Sequence, residues 1–214
     1  KSMLHRDNTI TEISFSNGNK IEVGRDDILI SSLPITLTAR LLGYKSDLTF
    51  RGIRSVYLAY KEKEILPNGI HWLYYGSKAI HFNRITEPKK LTPFVAPDNK
   101  TYLIAEITFS KNDEIDLVGS SDLIDEVSKQ VEEVGLVKTD QLCAASTNKE
   151  SFVYPLQYKG YQQELAKTRA AVNKYQQLYS IGTGGDYHYA DSQILFHKAF
   201  DTVSTICGKD SSYN

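Results

Sequence analysis

Between Leu178 and Gln193 the chain reads Leu-Tyr-Ser-Ile-Gly-Thr-Gly-Gly-Asp-Tyr-His-Tyr-Ala-Asp-Ser-Gln, a short apolar strand running into glycines and then into a helix start. That order of residues builds sites for electron-rich groups. Glycine lets backbone approach a ligand with no Cβ in the way, while unpaired amides at a helix N-terminus and the positive end of its dipole favour negative or carbonyl oxygens. The run Gly182-x-Gly184-Gly185 lacks the third glycine of the dinucleotide fingerprint, which would fall at Tyr187. No βαβ unit with a ribose-binding acid follows. On local pattern alone, a plain strand-to-helix turn competes evenly with a ligand site.

Other residues capable of chemistry form weaker patterns. His5, His71, His81, His188 and His197 include no H-E-x-x-H and no i, i+4 pair, so no metal site is expected. Ser31, Ser32 and Ser192 lie in no nucleophile elbow, which leaves hydrolase chemistry unsupported. Asp113, Glu114 and Asp116 read as a solvated acidic loop beside a helix start. Tyr57, Tyr60, Trp72, Tyr74 and Tyr75 alternate along two strands, as a sheet face packed by helices or as a wall for a sugar or aromatic ring.

The elements that must position these groups give an α+β chain with a mixed or antiparallel sheet and packed helices. Period-two alternation over Thr9–Phe15 and Lys20–Val23 around Asn17-Gly18 predicts a hairpin with a type I′ turn. Ile28-Leu29-Ile30 predicts a buried strand feeding a short helix that starts at Pro34 and runs through Leu42. Strands are expected at Ile53–Tyr60, Ile70–Tyr75, Ile80–Arg84 and Tyr102–Thr108, with Pro88, Pro93 and Pro97 making 87–99 an extended loop. Three helices follow. The first is capped at Ser121 or Asp122, runs to Val134 and is closed by Gly135; the second spans Gln162–Tyr175. The third starts near Ala190 or Asp191 and carries Ile194, Leu195, Ala199, Val203 and Ile206 as an apolar stripe. The tail from Gly208 to Asn214 is expected to fray.

Composition narrows the function classes. The 214 residues are 41% hydrophobic and 24% charged with a formal net charge of −1, which leaves no electrostatic footprint for nucleic acid or an anionic membrane. No apolar run approaches the roughly 20 residues of a membrane helix. Cys143 and Cys207 have no zinc or disulfide spacing and read as reduced thiols of a cytoplasmic protein. An opening of Lys1-Ser2-Met3 predicts a fragment of a longer polypeptide.

Four features in order, Ile30-Ser31-Ser32-Leu33-Pro34, Phe82-Asn83-Arg84 before a proline-rich loop, Tyr154-Pro155 ahead of Gly160-Tyr161, and Ile181 to Gln193, resemble the latter half of flavin-containing amine oxidoreductases. Within that superfamily the chain is similar to UDP-galactopyranose mutases and protoporphyrinogen-oxidase-like proteins. The resemblance implies the substrate domain and C-terminal part of a two-domain FAD-binding fold. Residues 1–50 would belong to the FAD-domain side, 51–155 would form the substrate-domain sheet and helix, and 156–214 would supply C-terminal helices with the flavin-facing glycine segment. It further implies that Gly182, Gly185, Asp191, Ser192 and Gln193 border FAD, with Ser32 and Pro34 near the cofactor. A helix N-terminus beside the flavin would stabilise the reduced ring. Tyr187 and Tyr189 match tyrosines of the mutase segment and would contact substrate together with Thr183 and His188.

This chain departs from the mutase pattern at Thr183 and His188, each standing where arginine is usual. Without the first arginine a charge-assisted phosphate clamp is lost, roughly 1.5–3 kcal/mol per hydrogen bond. No Gly-x-Gly-x-x-Gly element lies between Lys1 and Gly24, so the half that binds ADP is expected to be a missing partner and this chain alone to retain little FAD. The reading implied is part of an FAD-dependent oxidoreductase or sugar-nucleotide mutase acting on a small molecule, a nucleotide sugar among the candidates, in cell-surface polysaccharide synthesis. A non-catalytic α+β binding module that has lost the flavin is the alternative.

Overall fold

The computed structural model describes residues 1–208, and the frayed tail expected beyond Gly208 lies outside the described residues. In chain order the elements are β1 (Ser2–Arg6), β2 (Thr9–Ser14), β3 (Lys20–Glu22), β4 (Leu29–Ser31), α1 (Ile35–Leu41), β5 (Phe50–Tyr60), β6 (Trp72–Tyr74), β7 (Arg84–Thr86), β8 (Thr101–Phe109), α2 (Glu114–Leu117), α3 (Ser120–Glu133), β9 (Leu142–Pro155), α4 (Tyr161–Asn173), β10 (Leu178–Ser180), α5 (Gly182–Gly185) and α6 (Ser192–Ile206). The mixture of helices and antiparallel sheet is the α+β class read from the sequence. Two compact units result: Lys1–Phe50 joins Tyr154 and the residues after it in one, and Arg51–Val153 forms the other.

The first unit holds a β1-β2-β3 sheet and a two-stranded parallel pairing of β10 with β4. The hairpin of β2 and β3 is present, with Ile13 opposite Ile21. Its turn is not type I′: the Phe15 amide bonds to Asn19 and the Gly18 amide to Phe15, and Asn17 keeps an ordinary φ, so a three-residue loop closes it. The two-residue turn with both φ values positive lies instead at Asp7 and Asn8, between β1 and β2. Buried Gln177 ties this sheet to β10, accepting from the Ile10 amide at 3.1 Å and donating to the Ile10 carbonyl at 3.2 Å. Ile35, Ala39, Leu42, Phe50, Leu165, Val172 and Tyr187 fill the core around it.

Two expected burials do not occur in this unit. β4 is not a buried strand, because it has β10 as its neighbour in a two-stranded pairing and leaves Ile28 and Ile30 half-exposed. A parallel strand normally needs cover on both faces. α6 likewise buries none of its residues, and Phe196, Phe200 and Val203 stand more than half exposed along one side.

The second unit is a five-stranded sheet in the order β6-β7-β8-β5-β9. β5 and β8 alternate strictly between buried and half-buried residues, so one face is sealed. Val56, Leu58, Leu103, Ala105 and Ile107 on that face pack with Leu123, Val127 and Val131 of α3, each large aliphatic contributing about 1.5–3 kcal/mol of transfer free energy. Helix α3 begins two or three residues earlier than expected, with Gly119 rather than Ser121 or Asp122 at the cap position. The strand expected over Ile80–Arg84 forms at Arg84–Thr86. Asn83 takes the preceding ladder position with its side chain accepting from the Thr108 amide, and Phe82 is buried edge-on to Tyr75. The loop after β7 contains two short 3₁₀ turns at Pro88–Lys90 and Pro93–Val95, each entered at proline.

Buried Glu87 organises the loops of this unit, accepting from the amides of Ile65 and Leu66 and from the Thr101 hydroxyl at 2.7–3.2 Å. Glu87→Ala leaves those donors unpaired, and urea unfolding should show a loss of about 2–4 kcal/mol, against under about 0.5 kcal/mol for Lys111→Ala at an exposed turn. Lys149 and the Asn112 amide hold the Asp116 carboxyl below the ordinary aspartate range. Its folded pKa is depressed, so its contribution is present above the unfolded aspartate value and disappears as pH falls through the folded one. A melting-temperature profile from pH 7 to pH 2 should drop more steeply in the parent than in Lys149→Met.

Candidate functional site

The glycine segment is assembled against a distant part of the chain. β10 runs parallel to β4 with Tyr179 opposite Ile30 and Ser180 opposite Ser31, and the Ile181 amide continues the ladder to the Ser31 carbonyl at 2.9 Å. At Gly182 the backbone turns through φ +83°, and the next residues wind into α5. A Cβ on Gly184 would sit 3.1 Å from Pro34 Cα. One on Gly185 would sit 2.9 Å from Ser180 Oγ and 3.1 Å from the Ser180 carbonyl carbon. A side chain at Gly184 or Gly185 would therefore crowd Pro34 or Ser180, while at Gly182 the space that a Cβ would take is open.

The structure thus brings Pro34 against Gly184 and Ser31 against Gly185, about 150 residues apart in sequence, while among the described residues no contact ties Ser32 to the glycine segment. Gly185 is buried against Ser180 and Ser31, and Gly182 and Thr183 are half-exposed. Asp186 pins the turn from the other side: its carboxylate pairs with Lys198 at 2.8 Å and its carbonyl accepts from Arg169 at 2.8 Å. An open groove of about 500 Å³ borders the segment, with Ser180, Ile181, Asp186, Lys198 and Asp201 among its walls.

Tyr187 and Tyr189 do not form a pair of ligand walls. Tyr187 is in the core, its hydroxyl donating to the carbonyls of Thr49 at 2.6 Å and Leu156 at 2.9 Å, with Phe50 edge-on to its ring. Burial pushes its phenol pKa up. Placed at φ +51°, it reverses the chain so that His188 and Tyr189 face outward, Tyr189 against Tyr154 at 5.1 Å. Asp191 caps α6 through its backbone, with its side chain making no capping bond. Asp191, Ser192 and Gln193 are exposed, and the first-turn amides of the helix are of the kind that no intrahelical partner satisfies.

The five aromatics noted along β5 and β6 divide by strand period. Tyr60 and Tyr75 belong to the helix-covered core, whereas Tyr57, Trp72 and Tyr74 lie on the sheet's other face. Cross-strand register places Trp72, Thr86, Ile104 and Tyr57 in one row and Tyr74, Arg84, Glu106 and Ser55 in the next. At the centre, Arg84 grips Glu106 in a two-pronged contact, Nε to Oε2 at 2.6 Å and Nη2 to Oε1 at 2.8 Å, beneath the Tyr74 ring. That contact raises the Arg84 pKa. Sequence reading missed this pair, because a cross-strand partner 22 residues away leaves no local spacing.

Among solved structures, the chain is similar to reduced UDP-galactopyranose mutase, with a TM-score of 0.76 at 20% identity over 94% of this chain and 44% of that one. It is also similar to a putative protoporphyrinogen oxidase from Exiguobacterium sp. 255-15, TM-score 0.69 at 14% identity, covering 96% of this chain and 46% of that one. An oxidoreductase from Methanosarcina mazei matches with a TM-score of 0.55 at 16% identity over 86% and 43% of the two chains. No protein-family model matches the sequence, and no curated protein matches it. The chain shares the fold of these structures, the ones the sequence resemblance pointed to, and spans less than half the length of each.

The glycine packing has a stability consequence. Gly185→Ala must displace Ser180 and should cost about 1–3 kcal/mol, more than Gly182→Ala, whose strained φ alone costs about 1–2 kcal/mol. Tyr187→Phe leaves two carbonyls without their donor and should cost about 1–2 kcal/mol. Thermal unfolding of the three variants checks this order.

Proposed function

We propose that this chain is the substrate-binding and flavin-facing part of an FAD-dependent oxidoreductase, of UDP-galactopyranose-mutase or amine-oxidase type. The observation that supports this most is the seating of the Gly182 turn on the Ser31–Pro34 strand end, with open space beside Gly182 and the exposed start of α6 following it. Those features fit the edge of an isoalloxazine ring. Gly182, Asp191, Ser192 and Gln193 would border it, Ser32 and Pro34 would flank it, and Gly185 would act behind them as the packing residue that lets the turn close. The cofactor, when bound, supplies electron transfer. This chain's residues orient the ring edge with backbone amides.

The fit covers one end of FAD only, since the chain carries no glycine fingerprint for the diphosphate. A second polypeptide segment holding the ADP half is part of the proposal, and the half-exposed Ile30 of β4 and Ile28 just before it are consistent with a sheet that extends further. The substrate is a small molecule, and a role in cell-surface polysaccharide synthesis follows if it is a sugar. Thr183, half-exposed at the start of α5, offers no guanidinium for a diphosphate, so turnover of UDP-galactopyranose should be low. Free, exposed Cys143 and Cys207 fit a cytoplasmic setting. No helix among the described residues is long and apolar enough to cross a membrane.

The test compares the protein expressed from its complete gene with the 214-residue chain. The complete protein should purify with the absorbance bands of oxidised flavin, while the shorter chain binds added FAD at least about 100-fold more weakly, a difference of about 2.7 kcal/mol. A colourless complete protein that takes up no FAD would sink the enzyme reading and favour the binding module without flavin.

A further inference from the structure

The chain contains two Asn-Gly pairs, Asn17-Gly18 and Asn68-Gly69, both in exposed turns. Asparagine followed by glycine can react with its own backbone. The glycine nitrogen loses its proton and attacks the asparagine Cγ, so that a C–N bond forms and the side-chain nitrogen leaves as ammonia. Water then opens the resulting succinimide ring, at Cγ to leave aspartate or at the main-chain carbonyl to leave isoaspartate. Glycine favours the first step because no Cβ crowds the approach and its φ turns freely. Sequence makes the two pairs equivalent, but the turns that hold them differ.

The Gly18 amide is the closing donor of its turn, bonding to the Phe15 carbonyl at 3.2 Å, and a bond from the Phe15 amide to the Asn19 carbonyl at 2.9 Å closes the hairpin around it. The Asn17 side-chain oxygen accepts from the Asn19 amide at 3.0 Å. Bringing the Gly18 nitrogen onto Asn17 Cγ therefore breaks bonds on both reacting groups. At the other pair the closing bond runs from the Ile70 amide to the Pro67 carbonyl at 3.0 Å, which makes Asn68 and Gly69 the central residues of the turn. Gly69, at φ +77°, marks it as type II. The peptide unit between two central residues carries none of the turn's own bonding, and neither the Asn68 side chain nor the Gly69 amide has a hydrogen-bond partner among the described residues. That unit can rotate while the Ile70–Pro67 bond stays closed. Nothing lies within 4 Å of the place a Cβ on Gly69 would take, so the rotation has room.

We infer that Asn68 is a site of spontaneous succinimide formation in the folded protein, and that its turn protects Asn17. The product alters a loop fixed at both ends. The Leu66 amide is held by Glu87 at 2.7 Å on one side, and Trp72 opens β6 on the other. Either product adds a carboxylate to a loop that already carries Glu62 and Glu64, and isoaspartate lengthens the main chain by one carbon between those anchors. No step uses flavin or a substrate.

The 214-residue protein is aged in warm, mildly alkaline buffer, with and without urea, then digested with trypsin and analysed by mass spectrometry. The peptide Glu64–Lys78 reports Asn68, and Asp7–Lys20 reports Asn17, with fragmentation locating the change. In the folded protein Asn68 should exchange its amide nitrogen for oxygen, yielding separable aspartate and isoaspartate forms, about tenfold faster than Asn17. In urea the turns are gone, and the two rates should agree within about threefold. Asn68→Gln should abolish the change in the first peptide and leave the second as it was, with circular dichroism confirming the fold. Asn17 converting as fast as Asn68 in the folded protein, Asn68 staying intact there while both convert in urea, or a rate ratio that urea leaves unchanged would each overturn the inference.

Discussion

The parallel seating of β10 on β4 is the constraint from which the candidate site follows. Three backbone pairings and the Ile181 amide lock Ser180 beside Ser31, and the chain can then turn only if the next residues lack side chains where Pro34 and Ser180 already stand. Gly184 and Gly185 meet that condition, and Gly182 supplies the reversal of φ. Everything downstream depends on this turn: the carbonyl contacts of Tyr187, the outward reach of Tyr189 and the position at which α6 begins. A methyl group at Gly185 would therefore be felt at the start of α6, several residues away.

Polar side chains do a second kind of work by replacing backbone. Gln177 pairs with both polar groups of Ile10 as a strand neighbour would, Asn83 takes a ladder position beside Thr108, and Glu87 gathers two donors from the loop after β5 and a third from the start of β8. Each compensates for a place where the sheet hydrogen-bonding pattern stops. Burial makes such contacts costly to break, because the abandoned donors have no water to turn to.

Strong periodicity made much of the fold legible in the sequence. The alternation of β5 and β8, the heptad-like spacing of Leu123, Val127 and Val131 in α3, and the Asn17-Gly18 hairpin were all readable, and the order of motifs carried the superfamily fold. What escaped has a common cause. β9 is a largely exposed edge strand with a polar sequence and no apolar signature, and β1 needed the Asp7-Asn8 turn to be recognised first. Ile28–Ile30 and the apolar residues of α6 were read as buried because hydropathy encodes a preference for cover and not whether this chain provides it. Within the glycine segment, spacing did not separate Gly185, which serves packing, from Gly182, which borders open space. Tyr187 and Tyr189 looked alike in sequence, and the positive φ at Tyr187 sends one inward and the next outward.

These observations make the second unit a platform of rings and balanced charge, and the first a backbone frame for the Gly182 turn, beside which we propose that a cofactor edge rests. The most direct measurement is a structure of the complete protein with FAD. It should place the edge of the isoalloxazine ring within about 3 Å of the first-turn amides of α6 at Ser192 and Gln193, with Gly182 beneath the ring. Flavin bound elsewhere, or that helix start packed against protein side chains with no ring beside it, would contradict the account.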